Sequence, residues 1–218
     1  MNKNFVNALL VATAITILLL GYMRFSGGQQ VRDLPYFEPI EKNIQQSTDA
    51  QHRHIVTDFS LTDQTGKTIT RKDFENSITA INFFFTTCKG ICPRMNSQMK
   101  RVYDKYKGNP EVQIISHTVN PENDSVPVLA EYAKRYDANA NQWHFVTGDK
   151  AQLYDLARKS YMISDTRGNG GKEDFVHSQN FALIDKDGHI RGIYNGTDSS
   201  EVDRMMVEMD VLLDSYKK

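Results

Sequence analysis

The chain has 218 residues, 26 Lys and Arg against 27 Asp and Glu, and a formal net charge of −1. A charge so close to neutral argues against a dedicated nucleic-acid binder, because such proteins are normally clearly basic. With only two cysteines, the chain has neither a disulfide-dense miniature scaffold nor a zinc site of four thiolates. Its 39% hydrophobic and 24% charged residues suit a folded core, and its length allows one domain with an additional segment.

The N-terminal segment 5–23 is almost entirely apolar and carries no charged residue. A helix needs about 20 apolar residues to cross a bilayer, so we predict an uncleaved membrane anchor here, after a short cytoplasmic N-terminus at 1–4. A cleaved signal peptide is the main alternative, but the run is long for one and ends without an Ala-x-Ala site. Residues 24–50 are predicted to be a tether, of which 34–40 could dock on the domain.

The remainder of the chain, 51–218, alternates between strand and helix patterns. Strands are predicted from short apolar or alternating runs, and helices from apolar residues three or four apart. The predicted elements are a strand at 55–61 with a partner at 68–70, a strand at 78–85, a helix at 95–106, a strand at 112–119, a helix at 126–136, a strand at 144–146, a helix at 150–160, a hairpin of 181–184 and 189–194, and a helix at 201–216. This order resembles an α/β, thioredoxin-like fold with an added N-terminal hairpin and a hairpin insertion.

The two cysteines, Cys88 and Cys92, lie between the strand that ends at Phe85 and a helix predicted to begin near Pro93. Proline suits the first helical position, which would make Cys92 the N-cap. The helix N-terminus, together with Lys89, is then expected to lower the thiol pKa. The C-x-x-x-C spacing is one residue longer than the redox motif C-x-x-C. This longer spacing allows both sulfurs to face one ion, and it does not prevent a disulfide between them. The alternatives to a functional dithiol are a purely structural disulfide or two reduced thiols in the core.

Two thiolates select copper(I), or zinc in a tetrahedral site, and either site needs a further ligand. His177 is the candidate, because in a thioredoxin-like fold the residues before its strand approach the dithiol loop. The other histidines are predicted to be solvated or to pack structurally: His52, His54, His117, His144 and His189. The methionines at helical spacing are predicted to be core residues rather than copper ligands: Met95, Met99, Met205, Met206 and Met209.

The segment FFFTTCKGICP at 83–93 resembles the C-x-x-x-C-P loop of the Sco/SenC family of copper-handling proteins. Three further motifs stand in the family's order: VNPEND at 119–124 followed by LAEYA at 129–133, WHFVTG at 143–148, and VHS at 176–178 before ALID. The resemblance covers roughly 51–215. Asn120 stands where the family commonly has aspartate, and Lys89 where proline or a small residue is frequent. These departures remove no ligand, but they bring the copper affinity or redox tuning of the site into question.

This resemblance implies a thioredoxin-like domain at 51–218 that binds copper through Cys88, Cys92 and His177. The metal would be copper(I), with copper(II) also compatible. It further implies a role in assembling the dinuclear copper site of cytochrome c oxidase, with subunit II as the copper acceptor and no nucleic-acid partner. The expected location is the bacterial inner membrane with the domain on the periplasmic side, the mitochondrial inner membrane being the alternative.

Other functions use the same residues. A thiol–disulfide oxidoreductase would reduce partner cysteines with Cys88 and Cys92, so whether the protein is an enzyme is left open. His177 separates the two hypotheses, because thiol exchange does not need it and metal binding does. A peroxidase resembling peroxiredoxins is a weaker alternative, since Thr86 and Arg94 are near but wrongly spaced. A redox or copper sensor also fits these residues.

Overall fold

The computed structural model describes Thr16 and residues 34–40, 43–47, 53–164 and 174–217. The chain divides into two units, Met1–Asp33 and Leu34–Lys218, and every described residue except Thr16 belongs to the second. Among these described residues, no helix is long and apolar enough to cross a membrane. The anchor predicted at 5–23 lies outside them, apart from Thr16.

From residue 60 onward, the elements of the second unit follow the predicted order of strands and helices. Before it, Tyr36–Ile40 and Asn43–Ser47 pair as a hairpin within the segment predicted to be a tether. The elements of this unit are β1 (Tyr36–Ile40), β2 (Asn43–Ser47), β3 (Ser60–Asp63), β4 (Thr68–Thr70), β5 (Ile78–Phe84), α1 (Ile91–Tyr106), β6 (Val112–Thr118), α2 (Val126–Lys134), β7 (Trp143–Thr147), α3 (Lys150–Asp155), β8 (Asn180–Ile184), β9 (Ile190–Asn195) and α4 (Ser199–Ser215). A 3-10 turn at Arg71–Phe74 follows β4, and α3 continues into a π-helical turn at Leu156–Ser160.

Seven strands form one sheet in the order β4-β3-β7-β6-β5-β8-β9, and β1 pairs with β2 separately. The three central strands β5, β6 and β7 are parallel, and β3 and β8 run antiparallel to them. Since β5 and β6 are paired in parallel, both strands end at the same side of the sheet, and the loops that follow them are neighbours there. The first of these loops carries Cys88.

The central strand β5 is buried on both faces, as its continuous apolar run predicted. Ile78, Ala80 and Phe84 pack into a core with α1, α2 and α4. Ile81 and Phe83 point to the opposite face and pack with α3 and the π-helical turn. Helices therefore cover both sides of the strand that leads to the cysteines.

A buried polar chain ties α1 to the sheet one turn after Cys92. Asn82 Nδ2 donates to Asn96 Oδ1 at 2.9 Å, and Ser116 Oγ donates to Asn82 Oδ1 at 2.6 Å. Asn96 Nδ2 in turn donates to Tyr132 Oη of α2 at 3.0 Å. Since these buried groups satisfy one another, they hold the start of α1 in a defined register against β5.

Arg191 of β9 binds the beginning of the second unit. Its side chain is 5% exposed, and Nη1 lies 3.0 Å from Asp185 Oδ2. Nη2 donates to the carbonyl of Leu34 at 2.5 Å, and Nε donates to the carbonyl of Pro35 at 3.2 Å. The guanidinium also lies 4.0 Å from the ring centre of Tyr36. Part of the segment predicted as a tether thus packs directly on the domain.

Two of the predicted elements are shorter in the structure. The strand predicted at 55–61 begins only at Ser60, and Ile55 makes an isolated bridge to His189. Between residues 55 and 59, Val56 and Phe59 are the buried side chains, and their spacing of three does not alternate as a strand requires. The helix predicted at 150–160 ends as α3 at Asp155, and the π-helical turn completes it.

Candidate metal centre

The dithiol loop leads from the end of β5 into the first turn of α1. Gly90 is the N-cap of α1, so Cys92 is the second residue of the helix. The prediction that Cys92 caps the helix and that Pro93 is its first residue is therefore wrong. The N–H groups of the whole first turn lack intrahelical partners, so Pro93 is tolerated within it and does not mark its beginning. Cys88 is half-buried before the helix, whereas Cys92 is 4% exposed.

The two thiols differ in acidity. Burial and a hydrogen bond with Cys88 raise the pKa of Cys92 to about 12. Burial also opposes ionisation of Cys88, but hydrogen bonds from the Cys92 thiol and from the backbone N–H groups of Cys92, Gly90 and Ile91 lower its pKa. The expectation that the helix N-terminus acidifies Cys92 is wrong, because burial of this thiol outweighs the effect of the nearby backbone N–H groups on its pKa.

The predicted ligands Cys88, Cys92 and His177 line one cavity of about 230 Å³. Its walls are otherwise largely apolar, and they include Phe85, Ile91, Val119 and Val176. Both cysteines are free thiols. Within the described ranges, no three His, Cys, Asp or Glu side chains lie close enough together to form a metal site. The fold therefore brings the three side chains to one cavity without closing them around an ion.

An aromatic contact connects His177 to the dithiol loop. The ring of Phe175 meets the ring of Phe85 edge-on at 5.2 Å, and the His177 ring lies 4.9 Å from that of Phe175. Val176 between them is buried, while His177 is exposed. Residues 165–173, which precede this segment, lie outside the described residues.

Asp124 is a buried residue of this region that the sequence analysis did not single out. Its carboxylate accepts hydrogen bonds from the backbone N–H of Thr86 at 3.2 Å and from the Thr86 hydroxyl at 2.5 Å. The Thr118 hydroxyl at the end of β6 also donates to it. Asp124 thereby fastens the beginning of the dithiol loop to the neighbouring parallel strand. The only signal in the sequence was its place in the VNPEND motif after a predicted strand.

The other described histidines do not line the cavity and make contacts of their own. His117 is buried and stacks on Phe83 at 4.7 Å, and His144 Nδ1 lies 3.2 Å from Asp63 Oδ2. His54 Nε2 lies 2.7 Å from the Ser160 carbonyl, and His189 Nδ1 lies 3.0 Å from the His54 carbonyl, so neither is simply solvated. His52 lies outside the described residues. Of the histidines that the structure describes, His177 is the one that lines the cavity with the cysteines.

Comparison with known proteins identifies the family. The SCO1/SenC family model matches residues 47–210. The SCO1 protein homolog of Bacillus subtilis (strain 168) is 27% identical over 194 residues, which are 88% of this chain and 91% of that protein. The structure of BsSco, a member of the Sco family of cytochrome c oxidase assembly proteins with a disulfide switch, matches with a TM-score of 0.62 and 29% identity over 75% of this chain and 96% of its own.

Arabidopsis thaliana ScoI, solved with copper bound, matches with a TM-score of 0.55 and 26% identity, covering 72% of this chain and 98% of its own. The mixed α/β, thioredoxin-like architecture described above is that of these structures, which confirms the predicted fold class. Because the family model matches well over half of the sequence, this chain belongs to the SCO1/SenC family.

Proposed function

We propose that this protein is a membrane-anchored copper chaperone that binds copper(I) through Cys88, Cys92 and His177. The observation that carries this proposal is the shared cavity, which is lined by Cys88, Cys92 and His177. Thiolate and imidazole are donors that suit copper(I). The copper-bound Arabidopsis thaliana ScoI supports the same metal for this family.

The three proposed ligands differ in their protonation and in their exposure to solvent. Cys88 is the more exposed and more acidic thiol, so its thiolate is available to meet an incoming ion. Cys92 must release its proton when it binds, and metal binding is then coupled to proton release. His177 completes the site from the exposed side of the cavity. Three ligands leave room for a thiolate of the acceptor, which removes copper by ligand exchange.

The proposed acceptor is the dinuclear copper site of cytochrome c oxidase, in its subunit II. The assembly role described for BsSco supports this assignment. An anchor at 5–23 would hold the domain at the bacterial inner membrane, on the periplasmic side where this acceptor site would be assembled. Copper(II) is a second oxidation state that the same three ligands accept.

A copper(I) titration of the reduced full-length chain tests the ligand set. We expect one copper(I) per chain, with affinity that falls sharply in Cys88→Ser, Cys92→Ser and His177→Ala. His189→Ala is the matched control, because it removes a histidine that does not line the cavity. Parent-like binding by Cys88→Ser or His177→Ala would show that the assigned site is wrong.

The second candidate function is thiol–disulfide exchange, which the unequal acidity of the two thiols favours. The Cys88 thiolate would attack a partner disulfide, forming a mixed disulfide and releasing one partner thiolate. Cys92 would then lose its proton and attack Cys88, releasing the second partner thiol and leaving the Cys88–Cys92 disulfide. Two electrons pass to the partner, and the dithiol is oxidised.

Trapping distinguishes the roles of the two thiols in this reaction. With a disulfide-bonded peptide as the probe, Cys92→Ser should accumulate a mixed disulfide through Cys88, whereas Cys88→Ser should not. His177→Ala should retain this exchange while losing copper affinity if both functions coexist. Equal trapping by the two serine variants would contradict the assigned order of attack.

A further inference from the structure

The short segment that carries His177 is fastened on both sides of the histidine. On one side, the Asp174 carboxylate pairs with both terminal nitrogens of Arg158, at 2.7 Å and 2.6 Å. Their side chains are only 6% and 11% exposed. A two-pronged pair with so little exposure fixes orientation as well as position. Asp174 is thus held three residues before His177.

The second attachment lies immediately after the histidine. The Ser178 hydroxyl donates to the carbonyl of Ile163 at 2.6 Å, and Asn180 Nδ2 donates to the same carbonyl at 3.3 Å. The Ser164 hydroxyl also donates to the His177 carbonyl at 3.4 Å. The main chain at His177 is therefore held directly, and not only through its neighbours.

All of these attachments come from one stretch of chain, between the end of α3 and Ser164. Tyr154 Oη donates to the carbonyls of Val119 and Asp174, at 2.7 Å and 3.2 Å, and so links the loop after β6 to the same segment. Arg158 lies in the π-helical turn. Such turns are rare and recur at functional sites.

The same stretch contains a backbone conformation that L-residues seldom adopt. Met162 has a φ of +54° and is buried. Non-glycine residues are uncommon in this region, and they persist where the surrounding structure requires them. Here the unusual conformation turns the chain so that the carbonyl of Ile163 meets Ser178. The unusual conformation thus lies directly beside the carbonyl that holds the histidine segment.

We propose that Arg158 is a positioning residue for metal binding, which holds Asp174 so that His177 faces the Cys88–Cys92 pair. This inference rests on the proposed copper site. Only Phe175 and Val176 separate Asp174 from the histidine, and both pack toward the dithiol loop. Loss of the Arg158 pair would release this end of the segment and lower the fraction of molecules in which the imidazole reaches the copper.

The test is a double-mutant cycle on the reduced full-length chain, with copper(I) affinity measured by competition against a chromogenic chelator. We expect Arg158→Gln to weaken binding about 10- to 100-fold, the usual effect of losing a group that orients a metal ligand. In a chain that already carries His177→Ala, the same substitution should change the affinity little, because Arg158 acts through the histidine. Lys159→Gln is the matched control: it removes the same charge one residue away, from an exposed pair with Asp155.

A spectroscopic measurement separates positioning from a general loss of structure. In the copper(II)-loaded protein, the imidazole nitrogen coupling in the electron paramagnetic resonance spectrum should weaken in Arg158→Gln, while thiolate-to-copper absorption remains. If Arg158→Gln does not fold, Arg158→Lys takes its place, since lysine keeps the charge but not the two-pronged geometry. That variant should also bind copper(I) more weakly than the parent.

Three results would overturn the inference. Parent-like affinity in the foldable Arg158 variant, together with weakened binding in His177→Ala, would reject the positioning role and leave the copper site intact. Equal weakening by Arg158→Gln with and without His177 would show that Arg158 acts on the fold instead. Parent-like binding by His177→Ala would reject the ligand assignment itself, and with it this inference.

Discussion

Cys88 and Cys92 line the same cavity, and the buried thiol, Cys92, is the one with the raised pKa. The backbone N–H groups at the start of α1 point to the sulfur of Cys88, which lies outside the helix. In the reduced, copper-free protein, Cys88 is therefore the thiol that ionises first.

Alkylation of the reduced protein should be strongly selective for Cys88. The thiolate is the nucleophile, so at about pH 8 iodoacetamide should modify Cys88 well before Cys92. Peptide mass mapping at successive times measures both rates. In urea the selectivity should disappear, which provides the control, and equal rates in the folded protein would contradict the assignment.

Replacing Asp124 should destabilise the domain. Asp124→Ala leaves the Thr86 N–H and the Thr86 and Thr118 hydroxyls without their acceptor, in a place where Asp124 itself is fully buried. Each unsatisfied buried group costs about 1–3 kcal/mol, so the free energy of unfolding should fall by at least that amount. Urea denaturation provides the measurement.

The control for Asp124 is a carboxylate on the surface. Asp104 pairs with Lys100 one turn earlier on α1 and is half exposed, so Asp104→Ala should cost about 0.5 kcal/mol or less. A loss in Asp124→Ala no larger than the loss in this control would show that the hydrogen bonds to Asp124 do not stabilise the dithiol loop.

Acidification should destabilise the domain through its buried histidines. Burial lowers the pKa of His117 to about 3, and burial lowers the pKa of His144 in spite of Asp63. Below about pH 6.5, these histidines are protonated in the unfolded chain but remain neutral in the folded protein. Their contribution to the free energy of unfolding is therefore complete above this pH and is lost as the pH falls. The titration of His117 alone changes the free energy of unfolding by up to about 1.4 kcal/mol per pH unit.

The variant that checks this slope is His117→Phe, which keeps an aromatic ring against Phe83 but cannot be protonated. Its free energy of unfolding should depend less steeply on pH between about pH 4.5 and pH 6.5 than that of the parent. Denaturant titrations at several pH values measure both slopes. Identical slopes would mean that His117 is not the titrating group.

Local patterns predicted the elements that carry the site. The run from Ile78 to Phe84 required a strand covered on both faces, and helical spacing placed Met95 and Met99 in the core below the cysteines. The C-x-x-x-C spacing of Cys88 and Cys92, and the position of Cys88 after a strand, indicated the dithiol loop. These features depend on neighbours within a few residues, so the sequence contains their physical cause.

Contacts between distant segments could not be predicted in this way. Arg158 and Asp174 are 16 residues apart, and nothing in either local pattern indicates that they pair. The acidity of the thiols also depends on where α1 begins: a shift of two residues moved Cys92 from the helix cap into a buried turn. Both the ion pair and the pKa values of the thiols are determined by the packed structure and not by residue spacing.

The contacts of Arg191 determine where this chain can be shortened. The family match begins at residue 47 and the domain was predicted from 51, yet Arg191 binds the carbonyls of Leu34 and Pro35. A fragment that begins at 51 would keep the buried guanidinium and lose two of its acceptors, together with the Tyr36 ring beside it. Fragments for crystallisation or magnetic resonance should therefore begin before Leu34, and their melting temperature should exceed that of a fragment starting at 51.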